Sequence, residues 1–166
     1  MMLTPLLVDV AGTLAAASGP LRYALVFLFA AIPVVEILVV VPAGIGLGLD
    51  PVATGVVAFA GNVTSVYALV AFHRRLSRWL RTRRPATDQG PSDRYARARS
   101  LWDRYGLPGL AVGGPVLTGV HVAALVALLA GSSSRPVAGW MTVGIGVWTV
   151  LLVAGSAFGL SLLGLA

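Results

Sequence analysis

The chain has 166 residues, 57% of them apolar and only 11% charged, with a mean hydropathy of +0.88 and no cysteine. Soluble domains carry about 25% charged residues, and a chain this short cannot bury so large an apolar share. Composition therefore argues against a water-soluble enzyme and for a bilayer protein, and the missing thiols exclude disulfides and cysteine metal sites.

The first stretch, Met2–Ser18, is apolar but short, carries Asp9 and lacks the cationic start of a signal peptide, so an interfacial or weakly inserted helix is expected over residues 1–20. Leu21–Gly48 holds Pro33 and Pro42, then Gly44, Gly46 and Gly48. Proline removes a backbone donor and clashes with the preceding turn, so this segment is not one straight helix. Pro51–Phe72 is a plain span, long enough to cross a bilayer, with proline at a helix start where its missing N–H costs nothing.

Residues 73–105 collect ten of the twelve arginines against three aspartates, giving this stretch +7 and the rest of the chain −1. Arginine clusters can neutralise nucleic-acid phosphates. Here apolar spans abut both ends, and arginine beside such spans stays on the cytoplasmic side, so a cytoplasmic loop at the cell membrane is expected and a nucleic-acid partner is not. Pro85–Ser92 reads as a turn. The flanks, His73–Arg84 and Asp93–Tyr105, read as surface helices with Trp79, Tyr95, Trp102 and Tyr105 at headgroup level. Arg74, Arg75, Arg78 and Arg81 then reach anionic lipid headgroups.

Gly106–Gly131 is broken again, by Pro108, Gly109, Gly113, Gly114, Pro115 and Gly119, and Pro136–Phe158 is a second plain span. The halves resemble each other. Asp50-Pro51-Val52-Ala53 matches Arg135-Pro136-Val137-Ala138, and the same offset of 85 sets Gly61 on Gly146 and Thr64 on Thr149. The expected organisation is one membrane domain over 1–166, with a repeat over 21–72, the basic loop over 73–105 and a second repeat over 106–166.

Each broken stretch fits either a kinked span or a re-entrant hairpin of two half-helices. A hairpin tip exposes unpaired backbone groups, which is tolerated only beside protein or a water-filled cavity. With hairpins each repeat crosses once, so the loop joins repeats of opposite orientation and Arg135 falls inside, as the charge rule asks. The expected fold class is thus an all-α integral membrane protein, an inverted repeat of hairpin plus transmembrane helix. Its hairpin tips are placed at Pro33, Pro42, Gly44, Pro115 and Gly119.

Val35-Glu36-Ile37, then Val41-Pro42-Ala43-Gly44-Ile45-Gly46-Leu47-Gly48 and Gly61-Asn62, resemble the first half of the small multi-drug export proteins. Arg104-Tyr105-Gly106 with Gly109-Leu110, Pro115, Thr118-Gly119 and Ala124 resembles their second half. The likeness covers Leu21 to Leu160 and rests on order and spacing. It implies kinship with the DedA-like membrane proteins, paired re-entrant hairpins, and either ion-coupled transport or lipid scrambling. The chain departs from the family pattern at Leu38, where relatives tend to carry arginine, and at Gly114-Pro115-Val116-Leu117-Thr118-Gly119, where they tend to read Pro-x-Pro-x-Thr-Gly.

Four polar residues are candidates for a proton or substrate path: Glu36, Asn62, Thr118 and His121. Desolvation favours the protonated form of a carboxyl, so Glu36 within an apolar segment is a candidate proton carrier. His121 follows the second break and suits a proton relay or a partner for Glu36. Asn62, Thr64, Ser65 and Thr118 either line a path or join helices by hydrogen bonds. Two histidines without cysteine make no metal site, Gly44–Gly48 is no nucleotide fingerprint, and neither catalysis nor a cofactor is expected. Gly155 and Gly159, four apart, suit helix packing in a homo-oligomer.

Three functions compete: a small secondary transporter or exporter coupled to protons through Glu36, a DedA-like lipid scramblase without ion coupling, and a non-transporting module whose arginines dock on anionic lipid. The expected partners are the bilayer, its anionic headgroups, and a small-molecule, ion or lipid substrate.

Overall fold

The structure is a computed structural model that describes the backbone of residues 3–33, 35–81, 93–162 and 164, and the side chains of 10–33, 35–75, 104–162 and 164. The described residues form seven helices and no strand: α1 Leu3–Ala16, α2 Pro20–Ala31, α3 Glu36–Gly46, α4 Pro51–Arg81, α5 Asp93–Leu117, α6 Val120–Leu129 and α7 Ser134–Leu162. Two stretches are long and apolar enough to cross a membrane, Pro51–Arg75 and Ser134–Leu162. They correspond to the two plain spans read from the sequence. The first continues as helix to Arg81, so the basic flank after Phe72 extends α4 instead of starting a separate helix.

Both proline- and glycine-bearing stretches are broken into short helices. The first becomes α2 and α3, of 12 and 11 residues, parted at residues 32–35. The second becomes the end of α5 and the 10-residue α6, parted at Thr118 and Gly119. Within α5 the backbone kinks at Gly106 (φ 63°, ψ −152°), a conformation open to glycine because it has no Cβ. That kink separates the arginine-rich flank from the apolar segment.

The chain divides into two compact units, Met1–Thr64 with Ile145–Ala166, and Ser65–Gly144. The division does not follow the two halves of the sequence, since α4 and α7 each contribute to both units. In the first unit α1, α2 and α3 pack on one another. Helix α3 buries Ile37, Val40, Val41, Gly44 and Ile45, an i, i+3, i+4, i+7, i+8 stripe, and α1 adds Val10 and Leu14. The segment expected to be interfacial is therefore packed along one face. The Arg22 guanidinium donates to Ala17 O at 2.8 Å and Ala15 O at 3.4 Å, which places a cation on the carbonyl end of α1. At the start of α4, Asp50 Oδ1 accepts from the Ala53 N–H at 2.7 Å with proline next in the chain, an N-cap followed by proline at the first helical position.

Backbones approach closely at two glycines. In the first unit Gly61 of α4 lies against the Phe27 carbonyl of α2, and in the second Gly144 of α7 lies against the Ala111 carbonyl of α5. A Cβ at either glycine would collide with main chain. In the second unit α5 packs on α6, which apart from His121 is apolar all round and nearly enclosed. Large apolar side chains point outward from the long helices, among them Val52, Val56, Phe72, Val150, Phe158 and Leu162. Water does not favour such a surface; lipid does.

Candidate functional site

The chemistry-bearing residues are buried polar groups, and each unit holds its own set. In the first unit the break between α2 and α3 is closed by the Ile32 carbonyl, which accepts from the N–H groups of Val35 at 3.1 Å and Glu36 at 3.2 Å. The chain then enters α3 through Glu36 with φ of 49°, the one non-glycine residue with positive φ among the described residues. An L-residue held there costs about 1–2 kcal/mol because Cβ crowds the following carbonyl. Glu36 is also 4% exposed, between buried Val35 and Ile37. A carboxyl is thus kept in a strained backbone position away from solvent. In the second unit the residue that leads into α6 is Gly119, with φ of 88°. Positive φ costs glycine little, because it has no Cβ.

Asn62, on the inner face of α4, is fully buried. So is Thr54, two turns earlier, whose hydroxyl has no hydrogen-bond partner in the structure. Its methyl group packs against Gly44 of α3. Pro33 lies in the break between α2 and α3. Pro42 and Gly44, expected at a tip, instead sit within α3, where Gly44 provides the close approach to Thr54. The described turn residues are Ile32, Pro33 and Val35, and Pro42 is seven residues into a helix whose apolar stripe is otherwise unbroken.

In the second unit Ser65 Oγ and His121 Nε2 lie 2.7 Å apart, joining α4 to α6. His121 is 7% exposed, so the pair is largely shielded. Thr118 is buried, and its hydroxyl donates to backbone carbonyls, Gly114 O at 3.2 Å and Gly119 O at 3.3 Å. Its own N–H and that of Gly119 also converge on Gly114 O, at 2.9 and 2.8 Å. Thr118 therefore ties off the end of α5. Pro115 is in the last turn of α5, just before that closure. Thr64 is exposed and donates back to Ala60 O at 2.7 Å.

Arg74 and Arg75 are exposed on α4, and the Arg104 guanidinium lies 5.2 Å from the Tyr105 ring centroid. The side chains of Arg78, Arg81, Trp79, Tyr95 and Trp102 lie outside the described residues. Among the described residues no three His, Cys, Asp or Glu side chains gather as a metal site would require. Sequence reasoning named Ser65 only as a polar residue at depth and passed over Thr54. The signal for Thr54 was a polar residue among small ones (Ala53, Thr54, Gly55) one turn after a helix cap.

A family model described as "putative small multi-drug export protein" matches residues 36–151, more than two thirds of the chain. The chain belongs to that family. The match opens on Glu36, the strained and buried carboxyl, and takes in the Asn62 and Ser65 positions and the whole of the second break. No curated protein and no solved structure matches the chain. Small multi-drug export proteins are described by transport, and with two long apolar helices this member is a membrane protein.

Proposed function

We propose that this small multi-drug export protein is a proton-coupled secondary transporter in which Glu36 takes up and releases the coupled proton. The observation that carries the reading is Glu36 itself: a buried carboxyl on a non-glycine residue held at φ of 49°. Strain of this kind persists where the surrounding fold imposes it, and it concentrates at functional sites. A neutral carboxyl suits apolar surroundings, and a carboxylate requires water or a cationic partner. Protonation therefore changes which surroundings the break prefers. His121 with Ser65 offers a second protonatable station in the other unit.

In this reading the paired short helices α2–α3 and α5–α6 are re-entrant hairpins, and α4 and α7 are the crossings. The recurrent construction supports it: a broken stretch, a positive-φ residue entering the second arm, and a long helix met at glycine by the first arm, at Gly61 and again at Gly144. One crossing per repeat puts the loop over 73–105 and Arg135 in the cytoplasm, with Arg74, Arg75, Arg78 and Arg81 available to anionic headgroups.

Reconstitution tests this. Vesicles containing the protein should move ethidium, a lipophilic cation, faster under an imposed pH gradient than without one, and Glu36→Gln should remove that acceleration. Gradient-independent flipping of a fluorescent phospholipid, equal in wild type and Glu36→Gln, would replace coupled transport with scrambling.

A further inference from the structure

The first unit holds a register that ties its buried polar groups together. Helices α3 and α4 are joined by residues 47–50 alone, a connection as short as those between antiparallel neighbours, and Gly44 is set against Thr54. Glu36 is eight residues before Gly44, and Asn62 is eight residues after Thr54. In antiparallel helices of that register, equal counts cover equal rise, about 12 Å, which would set Glu36 and Asn62 at similar depth. Helix α2 gives a second reading of the same register. Its Tyr23 hydroxyl lies 3.3 Å from the Asp50 N–H at the start of α4, and its Phe27 carbonyl meets Gly61, beside Asn62.

We infer that Thr54, Ala58 and Asn62, on the buried face of α4, line a narrow water-bearing path from the Asp50 end of the first unit to the Glu36 carboxyl. The Thr54 hydroxyl is the second and independent mark of it. A fully buried hydroxyl with no protein partner is a group that internal water ordinarily satisfies. Ala58, between Thr54 and Asn62, is buried and small. The Asn62 amide can donate to a carboxylate or accept from a carboxylic acid, so it serves Glu36 in either protonation state.

The charges around the path agree. In the described part of this unit the titratable side chains are Arg22, Tyr23, Glu36 and Asp50. Arg22 is held at the end of α1, and Asp50 and Tyr23 meet at the path's outer end, where Asp50 is exposed. A proton enters there from water, passes along ordered water by Thr54, and ends on the Glu36 carboxylate, with no change of oxidation state.

This inference rests on Glu36 as the proton carrier, and the experiment separates the two claims. The chain has no cysteine, so single cysteines report water access without background. Ala58→Cys, with a fully buried parent residue, should react with a small charged methanethiosulfonate reagent, and reaction should block pH-driven ethidium movement. Val56→Cys, 62% exposed and facing lipid in our reading, should stay unmodified. Thr54→Val, which removes the hydroxyl at nearly constant volume, should slow pH-driven movement roughly tenfold while leaving thermal stability unchanged. Unreactive Ala58→Cys together with full activity in Thr54→Val would overturn the path, even if Glu36→Gln abolished coupling. If Glu36→Gln retained coupling, the carrier itself would fall and the path with it.

Discussion

Ser65 on α4 and His121 on α6 are joined by a 2.7 Å contact between hydroxyl and imidazole, inside a unit whose α6 is otherwise aliphatic. Either partner can donate, depending on the imidazole tautomer. The contact fixes the ring and fastens α6 to the long helix. Hydrogen bonds between membrane helices contribute about 0.6–1.7 kcal/mol. Ser65→Ala should therefore lower thermal stability in detergent by that amount, and Ser65→Thr should retain most of it. An unchanged unfolding temperature in Ser65→Ala would show that the contact does not hold α6.

Gly61→Ala and Gly144→Ala should both destabilise the fold. A Cβ at either place meets a backbone carbonyl, of Phe27 or of Ala111, which cannot turn aside as a side chain can. Overpacking of this kind costs about 1–3 kcal/mol. Gly46→Ala and Gly159→Ala have open space around the added methyl and should be neutral or slightly stabilising. Comparing the four unfolding temperatures checks the assignment.

Glu36→Gly isolates the backbone strain. Glycine relieves the positive φ and removes a buried carboxyl, offset in part by its greater freedom in the unfolded chain. The variant should be as stable as the parent or up to about 1 kcal/mol more stable, and inactive in pH-driven transport. A gain in stability with loss of function is the usual mark of a residue retained for its work. Marked destabilisation would mean that the Glu36 side chain supports the fold.

Asp50→Ala should cost about 1 kcal/mol, because the Ala53 N–H loses its 2.7 Å acceptor at the start of α4. Asp50→Asn keeps the cap and should cost far less. Denaturation of the three proteins in one detergent tests the difference.

Ser132→Cys tests the topology. If the broken stretches are hairpins, Ser132 lies on the same side as the basic loop, and an impermeant thiol reagent should label it from the side that labels a cysteine at Ser77. Labelling from the opposite side would make both stretches full crossings.

Much of the fold was legible because its signals are local. Pro51 and Pro136 mark the beginnings of the two long helices, Pro33 marks the first break, and the apolar runs give the length of each span. The position of a turn was less legible. Pro42 and Gly44 read as breakers, yet α3 continues through both, since the 37–45 stripe is satisfied by burial and Gly44 is needed against Thr54. Thr118 read as either a path residue or a helix-joining one, and that its hydroxyl closes the end of α5 was not visible from the sequence. Such roles depend on which neighbour arrives in space. The pairing of Ser65 with His121, 56 residues apart, is of the same kind. Glu36 was identifiable from its setting in an apolar segment, but its left-handed backbone was not, since nothing in Val35-Glu36-Ile37 asks for it.

Whether Glu36 carries the coupled proton is tested most directly by internal pH. Vesicles loaded with a trapped pH dye and bearing the protein are given ethidium with no imposed gradient. The wild type should show a change in internal pH that follows ethidium movement, and Glu36→Gln should show none while still binding ethidium. A pH change of equal size in Glu36→Gln would contradict the account.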